Sequence, residues 1–173
     1  MALGPLLEPS QHFVIDTSSF IAIREIVPVE VRPQVFRGLR LMVEEGELVY
    51  PNEVFEELSP HVRAPDQIFE FVRDNKERAT RFGYRVDELR EVMRHPIACQ
   101  VVDFDKAVGP DEADPHVLAL ALAIKKQYPN VIVVTEETRD RPGRVSMTTA
   151  CGALRLVRLP LRAFLIDRKV WSG

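Results

Sequence analysis

Two cysteines, Cys99 and Cys151, in 173 residues are too few for a disulfide framework, and their spacing makes neither a CxxC pair nor a zinc ribbon. The four histidines, at 12, 61, 95 and 116, form no HxxH or HExxH pattern, so they are read as ordinary residues and not as zinc ligands. No apolar run approaches the roughly 18–20 residues that cross a bilayer. The opening MALGPLLEPS lacks a basic stretch ahead of its short apolar segment. The expectation is therefore a chain without a signal peptide, working in a reducing cytoplasm and not at a membrane. Internal repeats, linkers and low-complexity segments are also missing. A net charge of only −3 argues against wholesale coating of nucleic acid.

What remains is the composition of a globular protein, 46% apolar and 28% charged. A chain of this length buries about 70% of the surface its unfolded form exposes. One domain over 1–173 is expected, with residues 1–11 as a flexible N-terminal extension. The charge is unevenly spread. From Arg139 to Gly173 there are eight basic and two acidic residues, a net of +6, which leaves −9 for the rest. An acidic body with a basic final fifth fits a protein that holds metal in one place and a polyanion in another. Solvated helix faces are the plainer alternative.

HFVID (12–16) and VIVVT (131–135) are short apolar runs with β preference, the mark of strands buried on both faces. ELVY (47–50) and residues 154–159 give two further strands. Between them lie helical patterns: a short one after Ser18 or Ser19, one from Pro33 closed by Gly46, one capped by Asn52, and others over 65–78 and 84–94. Residues 97–104 fit strand or helix equally. Asp114-Pro115 reads as a capping carboxylate and a first-turn proline before the apolar run HVLALALAIKKQ, and a last helix begins at Pro160. Alternating strands and helical crossovers imply an α/β fold with a parallel sheet covered on both sides. Ligands in such folds bind beyond the carboxyl ends of the strands.

Four groups of acids fall at that end. Asp16 closes the first strand, Glu56 and Glu57 lie on the helix after the second, Asp111, Glu112 and Asp114 open the long helix, and Glu136 and Glu137 follow VIVVT. Converging carboxylates raise one another's pKa or recruit a cation. A donor set of oxygens without His or Cys suits Mg²⁺ or Mn²⁺, whose usual work is phosphoryl transfer. Each acid also has a structural alternative. Asp16 or Asp114 can be a cap, Glu57 a solvated helix residue, and Glu136 and Glu137 loop charges.

The segments VIDTSSFI (14–21), PNEVFEEL (51–58), EADPHVLALALA (112–123) and VIVVTEE (131–137), in this order, resemble the PIN-domain family of metal-dependent ribonucleases, which includes the VapC-type toxins. The likeness is closest to a branch with VTEE where typical members have VTxD, and it covers about residues 12–165. It implies a three-layer α/β/α sandwich around a parallel sheet of about five strands. The activity implied is hydrolysis of RNA phosphodiesters by in-line attack of a metal-activated water, and the partners implied are a second copy of the chain and a small antitoxin protein. Matched position by position, the catalytic and metal-binding acids are Asp16, Glu57, Asp114 and Glu137. Glu57 matches because it directly precedes Leu58. Glu137 replaces the common Asp, and it shares a strand face with Thr135. Ser18, Asp111 and Thr135 are candidate accessory residues, with Asp140 a further acid nearby. Arg139, Arg141 and Arg144 are candidates for RNA binding. The competing expectation is a catalytically silent PIN-fold module that binds RNA or protein. A haloacid dehalogenase-type phosphatase needs a second Asp two residues after the first, where this chain has Ser18.

Overall fold

The computed structural model describes residues 11–59, 66–103 and 112–173. The expected N-terminal extension, apart from residue 11, and the candidate Asp111 lie outside them. Strand β1 (His12–Ile15) runs into helix α1 (Thr17–Ile26), followed by α2 (Arg32–Glu45), β2 (Leu48–Val49), α3 (Asn52–Leu58), α4 (Gln67–Ala79) and α5 (Val86–Arg94). Then come α6 (Ala113–Lys125), β3 (Val131–Val134), α7 (Met147–Ala153), β4 (Val157–Leu159) and α8 (Leu161–Asp167). The strands form one parallel sheet in the order β2-β1-β3-β4. With helices over both faces, the architecture is the expected three-layer α/β/α sandwich.

Four strands are present among the described residues, against about five expected. The ambiguous stretch at 97–104 makes a 3₁₀ turn over Ala98–Val101. Strands β2 and β4 are shorter than their patterns. Tyr50 turns its N–H to the carbonyl of Ala79, and Pro51 has no N–H to give a ladder. Leu154 ends α7, and Arg155 takes a left-handed φ of 55° before β4 can begin.

Strands β1 and β3 are central, paired from His12 opposite Val131 to Ile15 opposite Val134. Phe13, Val14 and Ile15 are wholly buried, as their uninterrupted apolar run requires. Phe13 meets Phe164 of α8 with ring centroids 4.9 Å apart. The chain leaves β1 toward β2 and returns across it to β3. Right-handed crossovers in opposite directions put their helices on opposite faces. They also leave a crevice where the order reverses, between the carboxyl ends of β1 and β3. At the other end, Gly46 closes α2 with φ 80°, and its carbonyl bonds Nδ1 of the buried His12 at 3.1 Å. Among the described residues no helix is long and apolar enough to cross a membrane.

Candidate functional site

Asp16 leaves β1 at this crevice and is 1% exposed. It is both a cap and a site residue. Its Oδ1 accepts the N–H of Ser19 at 2.9 Å, which starts α1. Ser18 Oγ reaches both carboxylate oxygens at 2.9 and 2.8 Å, and Thr135 Oγ, from the end of β3, donates to Oδ2 at 2.6 Å. These donors favour the charged form, but burial outweighs them and pushes the carboxyl up to about 6.

Asp114 is 9% exposed. The sequence predicts it as the cap of α6. Instead the helix begins two residues earlier, with Glu112 in the cap position, and Asp114 sits inside the first turn. Pro115 is tolerated there because the first N–H groups of a helix have no intrahelical partner. The Asp114 side chain is thereby spent on the crevice and not on its own backbone. Its carboxyl is held well above the usual range, first by burial, then by the charges of Glu137 and Asp16, against the pull of Arg144, with Glu57 adding to the rise. The four acids Asp16, Glu57, Asp114 and Glu137 thus share one electrostatic neighbourhood.

The two glutamate pairs each divide their labour. Glu57 receives the Oγ of Thr17, the residue after Asp16, at 2.5 Å. Glu56 is exposed and bonds Asn52, which is the first helical residue of α3 and not its cap. Glu136 turns back to accept the N–H of Leu161 at 2.5 Å, which caps α8, while its own N–H goes to Ser18 Oγ at 3.2 Å. Glu137 faces the crevice. Its N–H bonds Thr135 Oγ at 3.1 Å, and its carbonyl takes the N–H and Oγ of Thr148.

The arginines of the following loop part ways. Arg139 and Arg141 are exposed. Arg144 is folded back among the acids with its side chain 16% exposed. Its Nη2 bonds Asp114 Oδ2 at 2.7 Å and Glu137 Oε1 at 3.2 Å, and Nη1 lies 3.6 Å from Glu112 Oε1. A tight turn aims it: Arg141 and Arg144 exchange backbone hydrogen bonds of 2.8 and 3.0 Å around Pro142 and Gly143, the latter at φ 77°. Proline followed by a positive-φ glycine is a turn signature readable in the sequence; its consequence for Arg144 is not. Asp140 serves the loop, where its Oδ1 accepts from Ser146 N–H and Oγ and from Thr149 Oγ.

Beside the acids lies a second cluster that sequence reading passed over. Tyr84 Oη donates to Glu53 Oε1 at 3.0 Å and meets His116 Nδ1, which is 3.4 Å from Glu53. The only signal in the chain is spacing. Glu53 and Glu57 are one turn apart on α3, and His116 shares the first turn of α6 with Asp114.

The donors lining the crevice are all oxygens, and Glu137 Oε2 is buried with no hydrogen-bond partner. An orphaned carboxylate oxygen beside three other acids fits a hard divalent cation. Among the described residues, however, no three His, Cys, Asp or Glu side chains stand ready around one metal position. The cation in the crevice is Arg144.

The family model that matches the chain, over residues 13–170, is that of a domain of unknown function, DUF4411. No curated protein and no solved structure matches.

Proposed function

The chain belongs to the DUF4411 family, and we propose that it is a Mg²⁺- or Mn²⁺-dependent endoribonuclease of the PIN type, acting as the toxin of a toxin–antitoxin pair. The carrying observation is the gathering of Asp16, Glu57, Asp114 and Glu137 at the crevice between β1 and β3, with two of these carboxyls pushed above their ordinary range. Carboxylates kept buried at such cost to the fold are typical of functional sites. Asp16, Glu57, Asp114 and Glu137 would hold the cation, which when bound stabilises charge on phosphate oxygens and lowers the pKa of an attacking water. Ser18 and Thr135 fix the direction of the Asp16 carboxylate. Asp16 and Asp114 keep their protons to higher pH than ordinary carboxylates, so affinity for a cation would fall as pH is lowered. The exposed Arg139 and Arg141 supply positive charge for the RNA backbone beside Glu137. A second copy of the chain and a small antitoxin complete the proposal.

The second reading, a silent PIN-fold module that binds RNA or protein, is favoured by one observation: a guanidinium already neutralises the acids. The two separate on labelled single-stranded RNA with Mn²⁺. The wild type cleaves, and Asp16→Asn, which removes a charge but hardly any volume, does not. Full cleavage by a nuclease-free Asp16→Asn preparation sinks the proposed chemistry, and a wild type that binds RNA without cutting it supports the silent module.

A further inference from the structure

We infer that the outer edge of the sheet, along β4, is the track on which the RNA backbone lies, gripped by Arg155, Arg158 and Arg162 with Lys125 at its foot. The inference rests on the RNA-binding part of the reading above and holds whether or not the protein cleaves.

Topology puts these cations in one row. β4 is the last strand of the sheet, and among the described residues nothing pairs with its outer side. Arg155 precedes the strand, Arg158 is its middle residue, and Arg162 stands in the first turn of α8, where the chain leaves it. Lys125, the last residue of α6, joins the row at the amino end of the sheet, where its Nζ bonds the Arg155 carbonyl at 2.5 Å. At the carboxyl end the Leu161 N–H bonds Glu136, the neighbour of Glu137, so the row ends beside the crevice.

These charges act outward. Elsewhere on the surface cations are matched by acids: Arg24 by Asp66, Arg78 by Glu44, Lys126 by Glu88 and Arg168 by Glu47. Among the described residues no acid pairs with Lys125, Arg155, Arg158 or Arg162, and the nearby Glu136 is spent on the start of α8. The Arg162 guanidinium lies 5.1 Å over the Trp171 ring, a contact that fixes the side chain without neutralising it.

An edge strand with an apolar residue such as Val157, 60% exposed, also invites a strand from another chain. A second copy pairing along β4 would set this basic row against itself, and like charges across a strand pair are destabilising. A single strand of RNA is anionic throughout and meets no such repulsion. Contacts to its phosphates position it without reading its sequence, so the row presents any strand to the crevice.

Fluorescence anisotropy of a labelled oligouridylate, in EDTA so that nothing is cut, tests the track. Each phosphate contact on a single strand contributes about −0.7 to the slope of log affinity against log salt. The triple variant Arg155→Gln, Arg158→Gln, Arg162→Gln should lose about tenfold or more in affinity at low salt and about two units of slope. Surface changes of this kind leave the fold intact. A variant with the same change of charge on α2 and α4, beside the β2 edge (Arg37→Gln, Arg40→Gln, Arg73→Gln), should keep the wild-type slope. In the unmodified protein, bound RNA should shield Lys125 from acetylation and leave Lys76 of α4 reactive, as read by mass spectrometry, a result that does not depend on any variant folding. Equal slopes in the wild type and a folded β4-edge variant, or a Lys125 that stays reactive at saturating RNA, overturn the track while RNA binding stands. If the wild type binds no RNA, the RNA reading falls and the track with it. If the row holds a glutamate-rich peptide in place of RNA, the edge serves a protein partner and the track is likewise overturned.

Discussion

Replacing Asp16 by Asn should stabilise the metal-free protein at neutral pH, although it destroys the proposed site. Burial raises the Asp16 carboxyl from 3.8 to about 6. In the folded state it keeps its proton to higher pH than in the unfolded chain. The folded form therefore binds more protons between pH 3.8 and about 6, and stability falls as pH rises through that window. Below it nothing is lost; above it the cost is constant. At about 1.4 kcal/mol per pKa unit, ionised Asp16 costs the fold about 3 kcal/mol at pH 7. Asn avoids that cost but can match the Ser18, Ser19 and Thr135 donors with only one oxygen, a loss of about 1 kcal/mol. The net gain is about 2 kcal/mol, or a rise in Tm of about 4–8 °C for a domain of this size. Urea unfolding in EDTA from pH 4 to 8 checks it. The two proteins should converge near pH 4 and separate by pH 7, with the variant more stable. Millimolar Mn²⁺ should reverse the order, since binding at a hundredfold excess over Kd adds about 2.7 kcal/mol to the wild type alone. Parallel stability profiles across the pH range would refute the reasoning, because they would mean that Asp16 ionises as easily folded as unfolded.

The adjacent glutamates give a contrast in thermal melts with and without Mn²⁺. Glu136→Ala, which removes the acceptor at the start of α8, should lower stability by about 1 kcal/mol and keep the Mn²⁺-induced rise; Glu137→Ala should lose most of that rise. The cysteines differ in reactivity. Burial pushes the Cys151 thiol up to about 12, whereas Cys99 is partly exposed. Iodoacetamide at pH 8 should therefore add one label to the native protein, at Cys99, and a second only in denaturant, as read by mass spectrometry.

Local physics made much of this protein legible from the chain. HFVID and VIVVT read as doubly buried strands because residues 13–15 and Val131–Val134 are unbroken apolar runs with β preference. Gly46 had to close α2 because the chain there needs a positive φ. Strand–helix alternation led to the parallel sheet and the sheet to its carboxyl end, so the four acids were locatable before any contact was known. The ends of β2 and β4 were less legible, because a carbonyl of α4 and a left-handed Arg155 decide them.

The tertiary structure decided which charges meet. In sequence, Glu136 and Glu137 are adjacent acids that only strand alternation tells apart, in favour of Glu137; in the fold one caps a helix 25 residues away while the other faces the crevice. Asp114 looked like a cap because capping is the local use of an aspartate before a proline, but the longer-range demand of the crevice takes its side chain. Arg144 reads as one of three similar loop arginines, and only the turn at Pro142-Gly143 and the acids waiting across it make it the crevice's own cation. Periodicity and caps act over a few residues, so they can be read along the chain. Electrostatic partnership acts across space, between Asp16, Glu57, Asp114, Glu137 and Arg144, and it exists only once the sheet has brought four distant segments to one edge.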